Sequence, residues 1–361
     1  MGVLRLMGLS LLLWGCGANH SPSVGRPFGD ASVDEGALRD VGEGDDRPEA
    51  RDDVSWAVDA GDTGPATRDA GPAAPGLSPY PFVLVHGFAG FREVGPINYF
   101  YNVADDLRRR GETVYEVSVA PFAPPAERAP MLATQLQSVL RQSGRGRLNL
   151  IAHSQGGLDC RYLISTLGWG DRVASLTTVS TPHRGTRLAD ALLGVVPGLT
   201  DGVINTVATV FGFAYTQIAS RADLRGALVG LSERESAAFN AANPDDPRVL
   251  YFSYAGRSNR RDGAQVCQDA LSPNEPTLTD APFAPLGPLA AFLEQGDPAR
   301  NANDGLVTVQ SARWGTFVGC VAADHFDEVG QIAHRGANPE SGFDHILMYR
   351  DIARRVRDRG L

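Results

Sequence analysis

The chain has 361 residues, 43% of them apolar, enough for one large domain or two modest ones. Its formal charge of −9 comes with no basic patch, which argues against nucleic acid as a partner. All 33 basic residues are arginine, which excludes Schiff-base and lysine-nucleophile chemistry.

Residues 1–15 carry one arginine and a ten-residue apolar run, too short to span a bilayer but suited to a secretory signal. Leu13-Trp14-Gly15-Cys16 resembles a bacterial lipobox, in which Cys16 is lipidated and becomes the mature N-terminus; Trp14 departs from the small residue usual there. An ordinary export signal cleaved nearby is the alternative. From 17 to 76 there are 13 acidic residues against five arginines, with few large apolar side chains. Such a stretch cannot bury enough apolar area to offset its ordering entropy, so 16–76 reads as an acidic disordered tether behind the lipidated cysteine. The folded domain is expected over 77–361.

In that domain, apolar runs of strand character fall at 82–85, 113–119, 148–152, 173–180, 248–255 and 316–321. Helical spacing appears at 97–110, 128–142, 158–166 and 344–358. The alternation predicts a mostly parallel sheet flanked by helices. Two long insertions interrupt it, at about 185–247 and 257–303. Insertions of this kind emerge beyond the carboxyl ends of the strands, where open α/β sheets bind ligands.

One stretch carries the chemistry: Leu148-Asn149-Leu150-Ile151-Ala152-His153-Ser154-Gln155-Gly156-Gly157. An apolar strand meets a serine among small residues, and a helical pattern follows, which is the layout of a nucleophile elbow. Ala152 replaces the first glycine of the usual motif. Upstream, Phe82-Val83-Leu84-Val85 runs into His86-Gly87-Phe88-Ala89-Gly90. That turn offers the Phe88 N–H as one oxyanion donor, and the Gln155 N–H behind the serine offers the other.

A serine needs a base, and the base an orienting acid. Of the seven histidines, His325 lies on a short loop just after the last predicted strand. Asp304, in the tight turn Asn303-Asp304-Gly305, is the acid of choice. A plain loop histidine and a plain turn aspartate are the competing readings. Cys160 reads as a small packed hydrophobe. Cys267 and Cys320, in loop-rich regions of an exported chain, are available for a disulfide.

Five segments, taken in order, resemble the bacterial triacylglycerol lipases of the Pseudomonas and Burkholderia type, members of the α/β-hydrolase superfamily. They are Val83 to Gly90, Ala152 to Gly157, Thr181-Pro182-His183-Arg184-Gly185-Thr186, Asn303 to Val307, and His325 to Gln331. The resemblance implies an α/β-hydrolase fold with a helical lid over about 185–247 and a Ser154, Asp304, His325 triad. It also implies oxyanion donors at Phe88 and Gln155. A structural Ca²⁺ follows from it too, with Asp327 and Gln331 as side-chain ligands, Asp280 as the weaker match for a second carboxylate, and a carbonyl near Ala333 or His334. The competing reading is that Asp327 and Glu328 cap a helix. No organic cofactor is implied.

The expected activity is hydrolysis of triacylglycerol esters at a lipid–water interface by a secreted or surface-anchored enzyme. Many members of the family need a folding chaperone, and this sequence does not say whether this one does. An esterase or thioesterase on soluble esters is the rival hydrolase; a non-catalytic lipid-binding lipoprotein is the rival outside it. Between Leu188 and Tyr215 only Asp190 and Asp201 are charged, and apolar residues recur at near-helical intervals broken by Pro197, Gly198 and Gly202. Two short amphipathic helices are expected there, as a mobile lid or as an ordinary core pair.

Overall fold

The computed structural model describes residues 76–90, 93–94, 97–211, 221–258, 267, 284–297, 300–331, 338 and 341–361. All of them fall in one compact unit, Ser55–Leu361. The predicted signal segment, Cys16 and the acidic tether up to residue 75 lie outside the described residues, as does Asp280.

Six parallel strands form the main sheet: β1 (Phe82–Val85), β4 (Val114–Val117), β5 (Leu148–His153), β6 (Val173–Val179), β7 (Leu250–Gly256) and β8 (Thr316–Val321). Their spatial order is β4-β1-β5-β6-β7-β8. β1 and β5 are buried along their whole length because both faces of the sheet are covered. The two-residue period sorts their side chains. Phe82, Leu84 and Ile151 pack with helices α1 (Val103–Arg109) and α10 (His345–Arg357) on one face. Val83, Val85, Leu150 and Ala152 pack with α2 (Pro125–Ser143) and α3 (Gly156–Ser165) on the other. Each fully buried Phe or Leu in these layers contributes roughly 1.5–3 kcal/mol. Asp344 caps α10 by accepting the Ile346 and Leu347 N–H groups, and arginines fill the last turn, where the helix dipole favours them.

The helix predicted over 97–110 begins six residues late. Its first part is instead a small hairpin, β2 (Glu93–Val94) with β3 (Ile97–Asn98), and Asn102 then turns through a left-handed φ of 57° before α1 starts. Apolar spacing alone carries no sign of that turn.

Among the described residues, the first insertion forms four helices: α4 (Arg187–Leu192), α5 (Asp201–Phe211), α6 (Ala222–Leu231) and α7 (Glu233–Ala242). Thr186 and Ser232 cap α4 and α7 with their hydroxyls. The second insertion contributes α8 (Gly287–Glu294), with a proline in its first turn. Leu188, Leu192, Val207, Leu224, Leu228, Leu289 and Leu293 form a separate apolar cluster over the carboxyl ends of the strands. A short helix α9 (Val309–Ala312) leads into β8. Among the described residues, no helix is long and apolar enough to cross a membrane.

Candidate active site

Ser154 sits at the turn from β5 to α3 with a φ of 55°, the left-handed region that a residue with a Cβ rarely adopts. Holding it there costs of order 1–3 kcal/mol, offset by bonds on both sides. The Ser154 N–H donates to the Val179 carbonyl at 2.9 Å, and the Ser154 carbonyl accepts from Thr181 Oγ1 at 2.7 Å. The neighbouring glycines make the turn possible. A Cβ on Gly87 would lie 2.5 Å from the Ser154 Cβ, and one on Gly156 only 2.7 Å from the Val85 and His86 carbonyl oxygens. α3 starts at once, so the Gln155 N–H stands at a helix N-terminus, where negative charge is favoured. The Gln155 side chain is turned away and donates to the Ala123 carbonyl at 2.7 Å.

His325 follows β8, and its Nδ1 is 2.7 Å from Asp304 Oδ2. Asp304 is fully buried, and its other oxygen accepts the Leu306 and Val307 N–H groups at 2.8 and 2.7 Å. Asn303 accepts the Gly305 N–H in the same turn, and the His325 N–H donates to the Asp304 carbonyl. The carboxylate is thus fixed by its own loop and aimed at one imidazole nitrogen. Ser154, His325 and Phe88 line one cavity of about 170 Å³, together with Leu188, Leu192, Val210, Phe211, Leu228 and Leu231. α5 divides its apolar residues between the cavity and the cluster behind it. Val207 is fully buried in the apolar cluster, while Val210 and Phe211 reach the cavity.

Two further histidines, absent from the expected set, hold the surroundings. His153 lies against His325, ring centroids 4.4 Å apart. Its Nδ1 is 2.7 Å from the Tyr99 hydroxyl and its Nε2 is 3.0 Å from Glu328 Oε2. Burial, and then the charge His325 can carry, hold its pKa well below the usual histidine value. Glu328 also accepts from Ser180 Oγ at 2.6 Å. Burial, with the Asp304 carboxylate nearby, pushes its pKa well above the carboxylate range. Its side chain therefore belongs to this buried network and caps no helix. The capping falls to Asp324, which accepts the Phe326 and Asp327 N–H groups. His86 accepts the Val119 N–H on Nε2 at 3.0 Å, so its proton is on Nδ1, facing the Gly87 carbonyl. Burial and the Arg128 charge push its pKa down to about 3.

Of the expected calcium ligands, Asp327 and Gln331 are described. Asp327 is 9% exposed on the turn that follows His325, and its Oδ2 accepts from Asn338 Nδ2 at 3.1 Å. Gln331 donates its amide N–H to the Tyr99 carbonyl at 3.4 Å, which leaves its amide oxygen for another partner. Carboxylate and amide oxygens are hard donors that fit Ca²⁺. Asp280, Ala333 and His334 lie outside the described residues. Cys267 and Cys320 form a disulfide with Cα atoms 5.4 Å apart, and Cys160 is buried as a free thiol.

The family model for the alpha/beta hydrolase fold matches residues 80–247. Sheet order, elbow and helical insertion give the chain the α/β-hydrolase fold. Within that class it resembles the bacterial triacylglycerol lipases of the Pseudomonas and Burkholderia type. It is 29% identical to a triacylglycerol lipase of Vibrio cholerae over 78% of this chain and 89% of that protein. Identity to a triacylglycerol lipase of Burkholderia plantarii is 28%, covering 85% of this chain and 91% of that one. Among solved structures, a metagenomic carboxyl esterase matches with a TM-score of 0.58 at 21% identity, covering 87% of this chain and 86% of that one. A Bacillus licheniformis lipase matches at 0.56 and 19%, over 81% and 96%. These two share the fold.

Proposed function

We propose that this chain hydrolyses the ester bonds of triacylglycerols by covalent acyl transfer, with Ser154 as nucleophile, His325 as base and Asp304 as its orienting acid. The observation that carries the reading is the 2.7 Å bond from His325 Nδ1 to a fully buried Asp304, on a cavity that Ser154 also lines. Asp304 keeps the proton on Nδ1, so Nε2 is the nitrogen left to take the Ser154 proton. The Ser154 oxygen attacks the ester carbonyl as its proton passes to His325. The resulting oxyanion takes the Phe88 and Gln155 N–H groups. The tetrahedral centre collapses, the ester C–O bond breaks, and His325 returns the proton to the departing alcohol. Water then attacks the acyl-enzyme by the same route and releases the fatty acid. Leu188, Leu192, Val210, Phe211 and Leu228 supply the apolar surface for an acyl chain.

Ca²⁺, if bound, would be held by Asp327 and Gln331 with Asp280, and would brace the turn that carries His325. Its role there is structural. Export by residues 1–15 and anchoring through a lipidated Cys16, with 16–76 as the spacer, complete the reading; secretion without an anchor is the variant of it.

A second reading is a carboxylesterase on smaller esters. The cavity of about 170 Å³ favours it, being below the roughly 300–1,000 Å³ usual for drug-sized ligands. Emulsified triglycerides and p-nitrophenyl esters of graded chain length separate the two. A lipase prefers the long-chain emulsion; an esterase is confined to soluble short chains. An alkyl phosphonate should label Ser154 in the parent and leave Ser154→Ala unlabelled, and labelling at another serine overturns the assignment.

A further inference from the structure

Arg128 is fully buried in α2, and its donors converge on the oxyanion turn. It donates to the His86 carbonyl at 2.8 Å, the Gly87 carbonyl at 3.2 Å and the Ala120 carbonyl at 2.9 Å. Its Nε donates to Asp159 Oδ2 at 2.8 Å, and Asp159, on α3, is also fully buried. A guanidinium this deep needs its donors paired, and three of its bonds go to backbone carbonyls.

The Gly87 carbonyl is the decisive one, because it shares a peptide unit with the Phe88 N–H. A trans peptide is planar, with its C=O and N–H pointing in opposite directions. Whatever holds the Gly87 oxygen therefore sets the direction of the Phe88 N–H. Three donors hold it: Arg128, His86 Nδ1 at 3.0 Å and, within the turn itself, the Gly90 N–H at 3.2 Å; of these Arg128 alone is tied to α3. A cation on the carbonyl oxygen also polarises the amide and strengthens its N–H as a donor. Asp159 ties the same guanidinium to the helix whose first N–H is that of Gln155.

We propose that Arg128 is a positioning residue for the oxyanion hole: it fixes and polarises the Gly87–Phe88 peptide from behind and, through Asp159, sets the distance between the two N–H donors. The inference rests on the ester-hydrolase reading. Arg128 touches no substrate, since it does not line the cavity. A lysine in its place keeps the charge but cannot reach the carbonyls and Asp159 together.

The test compares the parent with Arg128→Lys and Asp159→Asn on p-nitrophenyl butyrate. An alkyl phosphonate titrates the fraction of active molecules, and an alkyl boronic acid, which forms a tetrahedral anion on the serine, probes the oxyanion hole. Arg128→Lys should lower kcat per titrated site about 10- to 100-fold with KM little changed, below the roughly 10²–10³ lost when a donor is removed outright. Boronate affinity should fall by a similar factor. Asp159→Asn keeps a neutral acceptor for Arg128 and should show a smaller loss in the same two quantities, which keeps the test alive if the lysine variant fails to fold. A loss confined to the active fraction, with per-site kcat and boronate affinity unchanged, overturns the inference and leaves a merely structural arginine. A parent that hydrolyses no ester and is not labelled overturns the hydrolase reading, and this inference with it.

Discussion

His153 and His325 lie ring against ring, centroids 4.4 Å apart, and each faces its own acidic side chain, Glu328 at 3.0 Å and Asp304 at 2.7 Å. A charge on His325 raises the cost of a charge on His153. Burial already keeps His153 neutral. Under the proposed mechanism, the positive charge that acyl transfer creates then falls on His325, beside the Asp304 carboxylate.

Asp304→Asn should keep the shape of that loop and lose the tautomer. An asparagine can donate its amide toward Nδ1 and leave the proton on the wrong nitrogen. kcat should fall about 10⁴-fold with the fold intact. Circular dichroism and ester hydrolysis measured side by side check this, and a loss under tenfold would remove Asp304 from its role.

Calcium removal should act on geometry and leave the chemistry intact. Exhaustive chelation should lower Tm and activity together, and Asp327→Ala should reproduce both without chelator. Restored Ca²⁺ should rescue the parent and fail to rescue the variant. Chelation that shifts neither melting nor rate would show that no such ion is needed.

The Cys267–Cys320 bond closes a segment with a sequence separation of 53 residues and ends five residues before His325. Removing a cross-link of that span costs about 4 kcal/mol in the chain-entropy model, less any native strain. Cys267→Ser should therefore lower Tm by several degrees, read by calorimetry. An unchanged Tm would mean that the bridge constrains nothing.

Acid should destabilise the fold in a defined window. His86, His153 and His183 are all held neutral when folded, chiefly by burial. Unfolded, each takes a proton below about pH 6.5. The unfolded state then binds more protons, so this part of the stability is whole above pH 6.5 and is lost as pH falls toward 3. Asp159, raised to about 6 by burial, and Glu328, raised well above the carboxylate range, work the opposite way. They bind protons when folded and soften the loss. Three histidines outweigh two acids, so Tm should drop between pH 7 and 5. A Tm that rises on acidification would reverse this balance.

Interfacial activity should depend on the cavity face of α5. Val210→Ser with Phe211→Ser should cut hydrolysis of an emulsified long-chain triglyceride far more than that of a soluble short-chain ester. Equal losses would favour the esterase reading.

Much of the sheet was legible because buried parallel strands are short apolar runs, and 82–85 and 316–321 match the structure end to end. The elbow was legible because its small residues follow from steric need. Less visible were groups whose importance depends on remote partners. Arg128 shares an amphipathic helix with one other arginine, Arg141, and no local pattern separates the one that points inward. Tyr99 and Glu328 meet across 229 residues through His153. The hairpin before α1 was hidden because Ile97 and Tyr101 fit helical spacing, and a left-handed asparagine leaves no apolar signature. Val207 and Phe211, four apart, share a helix face by spacing, yet the structure buries one and gives the other to the cavity.

The order of the strands has a consequence for how activity arises. Ser154 follows β5, well inside the sheet, whereas His325 follows β8, an edge strand that among the described residues pairs with β7 alone. A chain whose last strand has not yet joined can carry a finished elbow with nothing to accept its proton. Under the proposed mechanism, turnover therefore requires that edge strand to be docked: a refolding experiment that follows helical signal and ester hydrolysis together should find turnover returning no earlier than the helices.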